Sequence, residues 1–502
     1  MASSLIGRDQ AMALVRSAID EVREGRSVII GLVGEAGIGK TRLARESRNL
    51  AEAFGIRWLE GQTTSPGQTT SYWPFREMLR SWAGIHNDDT SLAAWAKLTF
   101  VARELFPYDS QEILPYLAVL LGIDVPAEIA ERSRYLEGEA MGRQVLRSAW
   151  RLFDQLAHQR PTVLAFEDIH WLDESSALLL EHLFPLTLSA PLLICLLSRP
   201  GGASASEKLL STAAIQFGDR YRKIVLGPLT LDESGRLIDE ILPLEDTSAP
   251  LRDLILRKAE GNPFFLEEIA RAVIDTKGVV WDGAARRWRG IVPINDITIP
   301  DTVQAVIAAR LDRLDDELKQ VLKTATVIGR NFLYRVLLAI QQTGEHLDLQ
   351  LSKLEQLELI REQHRTAELE YTFQHALTQE AAYETILARQ RRELHDHVAI
   401  STEELFADRV EDFCGLLAYH YARAENWPKA HEYLLKAGDQ AGRMAAETEA
   451  LGHYRQAITA YEHAFGRQWD PAERAELERK MGEAMFARGG APAGARRVPP
   501  DP

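Results

Sequence analysis

The run Gly34-Glu35-Ala36-Gly37-Ile38-Gly39-Lys40-Thr41 fills every fixed position of G-x-x-x-x-G-K-[ST], a spacing suited to gripping phosphate. Glycines at 34, 37 and 39 leave the backbone free to curl its N–H groups around an anion at a helix N-terminus. Lys40 brings a point charge to the β and γ phosphates, and the Thr41 hydroxyl offers a ligand to Mg²⁺. Ile38 inside the loop and Arg42 just after it belong to the same expected nucleotide-contacting run. Further along, Thr162-Val-Leu-Ala-Phe-Glu167-Asp168 is an apolar run ending in adjacent carboxylates. Such a pair can hold Mg²⁺ through its water shell and orient an attacking water. Asp168 is assigned to the metal and Glu167 to the water, a division that the sequence leaves open. Taken alone, the pair would serve equally as a helix cap. A third apolar run, Pro191 to Leu197, ends in Ser198-Arg199-Pro200. Arg199 at its tip could sense a γ phosphate, although a lone strand-end arginine is more often a surface residue.

These residues need elements to position them. Ser27 to Val33 reads as a buried strand leading into the glycine loop, and Arg42 to Ala53 has helical spacing after it. Ile56 to Gly61 reads as a second strand. Between it and the acidic run, residues 70–150 or so read as a helical insertion containing Ser71-Tyr-Trp-Pro-Phe75. Strands alternating with helices imply a parallel sheet with helices on both faces.

At 502 residues the chain exceeds one hydrophobic core, and about 150 residues per domain suggests roughly three or four domains. A net charge of −15 argues against a chain-wide nucleic-acid or anionic-membrane surface. Cys195 and Cys414 lack metal-ligand spacing and give no disulfide framework. No run approaches the ~18 apolar residues of a membrane span, and the N-terminus lacks the build of a signal peptide, so a cytoplasmic location is expected.

Taken together, Ile6-Gly7-Arg8, GEAGIGKT, EDIHWLD, the strand-end SRP and Glu260-Gly261-Asn262-Pro263-Phe264-Phe265 resemble the STAND-class signalling P-loop ATPases. The chain is most similar to the ATPase and tetratricopeptide regions found downstream of the cyclase domain in large bacterial adenylate or guanylate cyclases. The same module recurs in LuxR-type regulators. The resemblance covers residues 4–488 or so. It implies that Ile6, Gly7 and Arg8 lie against adenine and that Pro263 faces the base from a helical lid. It also implies a winged-helix domain, in which His375 reaches the bound nucleotide in a closed, ADP-holding state; a capping or surface histidine is the alternative. The region carries many acids, as in Asp312-Arg-Leu-Asp-Asp-Glu-Leu, and lacks a basic recognition face, so direct DNA reading is not expected.

Small and large residues at Leu417–Tyr421 and Trp427–Ala437 follow the offsets of a tetratricopeptide repeat, Ala450–Tyr461 gives another second helix, and Glu473 to Arg488 opens a third repeat. Such repeats form surfaces for protein partners, and nucleotide-dependent self-association is a further expectation. The third repeat lacks its second helix, and a Pro- and Gly-rich tail follows, which suggests a truncated or frameshifted relative of a longer protein. Five residues precede Ile6, so no cyclase activity is expected of this chain.

The expected layout is multidomain α/β plus all-α. It comprises a P-loop ATPase domain at 1–225, a helical lid with a hairpin at 226–298, a winged-helix-like domain at 299–400, incomplete helical repeats at 401–488 and a disordered tail at 489–502. The expected function is an ATP-binding switch, controlled by ADP, ATP and Mg²⁺, that hydrolyses slowly and governs a protein interaction. The alternative is a repeat scaffold that uses nucleotide only structurally. A metabolic kinase would need a second substrate pocket and an acceptor-activating base, and the sequence shows no motif for either.

Overall fold

The computed structural model describes residues 5–488, apart from 64–66, 68–69, 87–88, 130–137, 202–203, 246–247, 292–298, 342–343 and 366–367. The 489–502 tail lies outside the described residues. Strands β1 (Val28–Gly34), β2 (Arg57–Gln62), β3 (Thr162–Glu167), β4 (Leu192–Ser198) and β5 (Tyr221–Leu226) form one parallel sheet, ordered β2-β3-β4-β1-β5. Because β4 lies between β1 and β3, the tip carrying Arg199 emerges between the phosphate loop and the acid pair. Ligands of open parallel sheets bind at these carboxyl ends.

The three central strands are buried throughout, and their side chains alternate between two cores, as the two-residue strand period requires. Ile29, Phe166 and Leu196 join one core with the helices between β2 and β3. Ile30, Ala165 and Leu197 join the other, with α1 (Asp9–Arg23) and α2 (Lys40–Ala53). The inserted helices are α3 (Trp73–Trp82), α4 (Ser91–Leu105), α5 (Ser110–Leu121) and α6 (Gly138–Gln159). Helices α7 (Glu174–Leu183) and α8 (Ser204–Gln216) complete this part.

A helical unit follows, made of α9 (Leu231–Ile241), α10 (Ala249–Ala259) and α11 (Pro263–Asp275), with an antiparallel pair β6 (Val279–Asp282) and β7 (Arg287–Gly290). Beyond it lie α12 (Val303–Leu311), α13 (Asp316–Ile328), α14 (Tyr334–Gln341), α15 (Gly344–Gln356), α16 (Ala376–Glu384) and α17 (Ala388–Leu405). These surround a sheet ordered β8 (Asn331–Leu333), β10 (Glu368–Phe373), β9 (Ile360–Arg365). Of these, Glu368–Phe373 alone alternates polar and apolar residues in sequence. The other two are short or polar, and their pairing supplies what local pattern does not. A buried pair, Arg310 Nη1 to Glu268 Oε1 at 3.2 Å and Oε2 at 3.1 Å, ties α12 to α11.

The last helices are α18 (Cys414–Arg423), α19 (Trp427–Arg443), α20 (Glu447–Phe465) and α21 (Pro471–Ala487). The helix that holds Ala450–Tyr461 follows Trp427–Arg443 directly, across a short turn. The break before α20 is Met444-Ala445-Ala446, with Ala445 at φ 54°. Without a Gly or Pro, that turn leaves no mark in the sequence. These helices pack onto the insertion between β2 and β3: Met444, Ala450, Leu451, Leu477 and Ala484 belong to the same core as Phe75 and Leu152.

Candidate nucleotide site

Gly37 (φ 77°) and Gly39 (φ 103°) take the left-handed conformations that the loop needs between β1 and α2. Lys40 Nζ donates to Gly34 O at 2.7 Å and Glu35 O at 3.0 Å. These are the loop's own carbonyls, so a phosphate can take the ammonium by exchange of hydrogen bonds. Burial lowers the Lys40 pKa, and the Asp168 carboxylate partly offsets this.

Ile6, Arg8, Gly37, Ile38, Gly39, Lys40, Thr41, Arg42, Glu167, Asp168, Arg199, Pro263 and His375 all line one cavity of about 1180 Å³. Gly7 and Gly34 are not among its lining residues. Gly7 (φ 68°) turns the chain against Glu233, and a β carbon at Gly34 would strike Ile38 at 2.7 Å. Arg8 is buried and donates from Nη2 to Ile38 O at 2.9 Å, tying the N-terminal segment to the loop.

The two acids of the pair have different partners. Thr41 Oγ1 donates to Glu167 Oε2 at 3.3 Å, so the hydroxyl suited to a metal stands beside Glu167, not Asp168. Thr63 Oγ1 donates to Glu167 O at 3.0 Å and fixes that strand end. The chain then turns through a left-handed Asp168 (φ 55°), which carries its carboxylate away to accept from Arg330 Nη1 at 2.9 Å. Backbone direction at the strand end, which residue order alone does not specify, decides this. Burial raises the Glu167 carboxyl, and Glu60 adds to the effect.

A nucleotide and Mg²⁺ fit this donor set: a loop lysine, a threonine hydroxyl and two carboxylates meet at the sheet's carboxyl edge. Among the described residues no cluster of three or more His, Cys, Asp or Glu makes a separate metal site. Thr41 and Glu167 would hold the ion, whose charge would offset that of the phosphates.

Two residues here, Arg330 and Glu380, are not among those singled out in the sequence. Arg330, between α13 and β8, holds Asp168. Arg199 Nη2 pairs with Glu380 Oε1 of α16 at 2.7 Å. Asn262 Nδ2 donates to Ala36 O at 3.1 Å while its Oδ1 caps α11 by accepting from Phe265 N, and Phe264 N donates to Gly37 O at 3.3 Å. His375 occupies the N-cap position of α16 without a side-chain capping bond; its ring lies 4.5 Å from that of Phe264, centroid to centroid. Burial, then the charges of Arg271, Arg330 and Arg310, hold its pKa down at about 4, so the ring is neutral at ordinary pH. His170 Nδ1 lies 4.0 Å from Asp168 Oδ1, and burial leaves this ring neutral too, with a pKa of about 4.

Comparison with known proteins agrees with the loop and sheet. Residues 4–195 match the family model described as "AAA ATPase domain". This part of the chain is similar to that family. Along 466 residues the chain is 27% identical to an uncharacterized protein of Rhizobium meliloti (strain 1021), a match covering 90% of this chain and 42% of that protein. It is 20% identical over 339 residues to the peroxide stress-activated histidine kinase mak3 of Schizosaccharomyces pombe, covering 64% of this chain and 14% of the kinase. The chain thus spans less than half the length of these relatives. Among solved structures, a STAND protein with a tetratricopeptide repeat sensor from Pyrococcus horikoshii aligns with 97% of this chain and 65% of its own, at 12% identity and a TM-score of 0.46.

Proposed function

We propose that the protein is a signalling ATPase whose bound nucleotide, ADP or ATP with Mg²⁺, sets a conformational switch that regulates a protein interaction, with slow hydrolysis as the reset. The observation that carries this reading is the pair of ion bridges across the nucleotide cleft, Arg330–Asp168 and Arg199–Glu380. In each, a group at the γ-phosphate end of the site, Asp168 for the attacking water or Arg199 for the γ phosphate, is taken by the 303–405 unit, which we read as a winged helix. Mg·ATP would compete for both groups, whereas ADP leaves the γ-phosphate position to the bridges. This arrangement is a closed form.

The C-terminal helices, read as tetratricopeptide-like repeats, are engaged in the same form. Glu449 of α20 accepts from Ser175 N at 2.8 Å and from Ser175 Oγ, at the N-terminus of α7, seven residues beyond Asp168. Asp173 caps that helix, accepting from Ser176 N at 2.8 Å and from Tyr72 N at 3.1 Å. Opening the form would free the helices for a protein partner or a second copy. Inverting the two populations from 1:99 to 99:1 needs a difference of about 5.5 kcal/mol between the nucleotides. Among the described residues no helix is long and apolar enough to cross a membrane, and a cytoplasmic location fits this reading. Direct nucleic-acid binding and cyclase chemistry form no part of it.

The test is to denature freshly purified protein and identify the released nucleotide by chromatography, with Lys40→Ala as control. The switch reading expects near-stoichiometric ADP from the wild type and little from the variant. Protein without nucleotide, whose melting temperature also ignores Mg·ATP, would sink it and leave a constitutive repeat scaffold.

A further inference from the structure

The main cavity continues beyond the nucleotide site. Its volume of about 1180 Å³ exceeds the roughly 300–1,000 Å³ of an ordinary small-molecule site. The far end is walled by Arg76 and Arg80 of α3, and by Arg409, Asp412 and Phe413 of the 3-10 segment that joins α17 to α18.

Arg76 is the unusual member. Only 6% of it is exposed, and its Nε and Nη1 have no hydrogen-bond partner among the described residues. Its guanidinium lies on Gly122, whose left-handed turn (φ 64°) ends α5; a β carbon there would come within 2.7 Å of Nη2. The negative end of α5 eases the charge without accepting a bond from it. Burial, then Arg80, pushes the guanidinium down to about 10, so it stays protonated. Folded interiors rarely leave such a group without an acceptor. Turning Nε and Nη1 toward a ligand breaks no hydrogen bond to the described residues.

The neighbours narrow the ligand. Arg80 Nη2 donates to His86 O at 3.1 Å, and Arg409 lies over the rings of Phe406 at 5.2 Å and Phe413 at 5.8 Å. Asp412 and Glu77 share this neighbourhood with the arginines, so a multiply charged phosphate would meet repulsion, whereas one carboxylate would suit a planar guanidinium fork. Phe406, Phe413 and Leu416 provide an apolar wall.

We propose that this end of the cavity is a second ligand site, for a small organic monocarboxylate, with its anionic head on Arg76 and its apolar body along Phe406, Phe413 and Leu416. The site touches both the β2–β3 insertion and the link between the 303–405 unit and the C-terminal helices. Its existence does not depend on the switch reading, and the test reads binding alone.

The probe is octanoate, measured by equilibrium dialysis against the full chain with its nucleotide left in place. Octanol supplies the same tail without charge. Wild type should retain octanoate saturably, one per chain, and octanol should not be retained. R76M and R409Q should each bind octanoate roughly tenfold more weakly. R76M should melt no lower than wild type, since it removes an unpaired buried charge. Should R76M fail to fold, R409Q decides. No octanoate retained by wild type, or equal retention by wild type and the folded variants, would overturn the proposal.

Discussion

The two sides of the nucleotide cleft are closed by different chemistry. On the lid side, the contacts to the phosphate loop are neutral: Asn262 Nδ2 to Ala36 O and Phe264 N to Gly37 O. On the acid side they are ionic, with Arg330 on Asp168 and Glu380 on Arg199. Neutral backbone contacts keep their strength when a charged ligand arrives. Ion pairs built on the groups that would meet the attacking water and the γ phosphate do not. The difference points to a lid that positions and an acid side that switches.

Asp168→Asn should break that contrast most severely. Hydrolysis should fall by about 10²–10⁴-fold, as for loss of a general base, while Arg330 loses its ionic partner; phosphate release and ADP dissociation measure the two effects. Glu167→Gln should instead weaken Mg²⁺-dependent ATP binding, because Glu167 stands beside Thr41. If Glu167→Gln slowed hydrolysis alone and Asp168→Asn weakened only metal binding, the roles given to the acids by this geometry would be reversed.

Arg330→Gln comes next in size. Its bridge is largely buried, with side chains 15% and 16% exposed, and its loss should speed release of a fluorescent ADP analogue about tenfold. The Glu380 bridge is more open, at 26% and 37%, so Glu380→Gln should give only a few-fold change, on the scale of about 1 kcal/mol or less. Added salt should mimic the second change more than the first.

A pH effect of intermediate size should appear in the docking of the C-terminal helices. Burial raises the carboxyls of Glu449 and Asp173, and raises that of Glu447 from 4.5 to about 7. The docked form therefore holds protons that the released form gives up. Docking should be strongest below the ordinary carboxylate range and weaken as pH rises from 4.5 to about 7. Hydrogen exchange in α20 at several pH values would detect this, and docking that tightens with pH would contradict it. The smallest effect belongs to the lid: Asn262→Ala should cost about 1 kcal/mol in thermal stability through its lost cap, without altering the salt dependence of ADP release.

What the sequence discloses follows the range of the interaction. The phosphate loop is legible because its glycines, lysine and threonine act within eight residues and carry their own turn geometry. The acids and Arg199 are legible because apolar strands end beside them. Arg330, Glu380 and Glu449 are not, since each acts on a residue more than a hundred positions away. Nothing in Gly329-Arg330-Asn331 or Thr378-Gln379-Glu380 marks a bridge. The turn between α19 and α20 is hidden for a local reason, since Ala445 makes it without glycine or proline. The helical insertion was legible as helix, yet Arg76 reads in sequence like any surface arginine of α3.

The most direct measurement is hydrogen exchange on the full chain, first with ADP and then with Mg²⁺ and ATP or its non-hydrolysable analogue, which separates opening from hydrolysis. If nucleotide works the switch through the acid side, amides in 331–384 and 447–465 should exchange faster with Mg·ATP than with ADP, while the lid contacts near 262–266 stay protected. Identical exchange in all three segments under both nucleotides would contradict it.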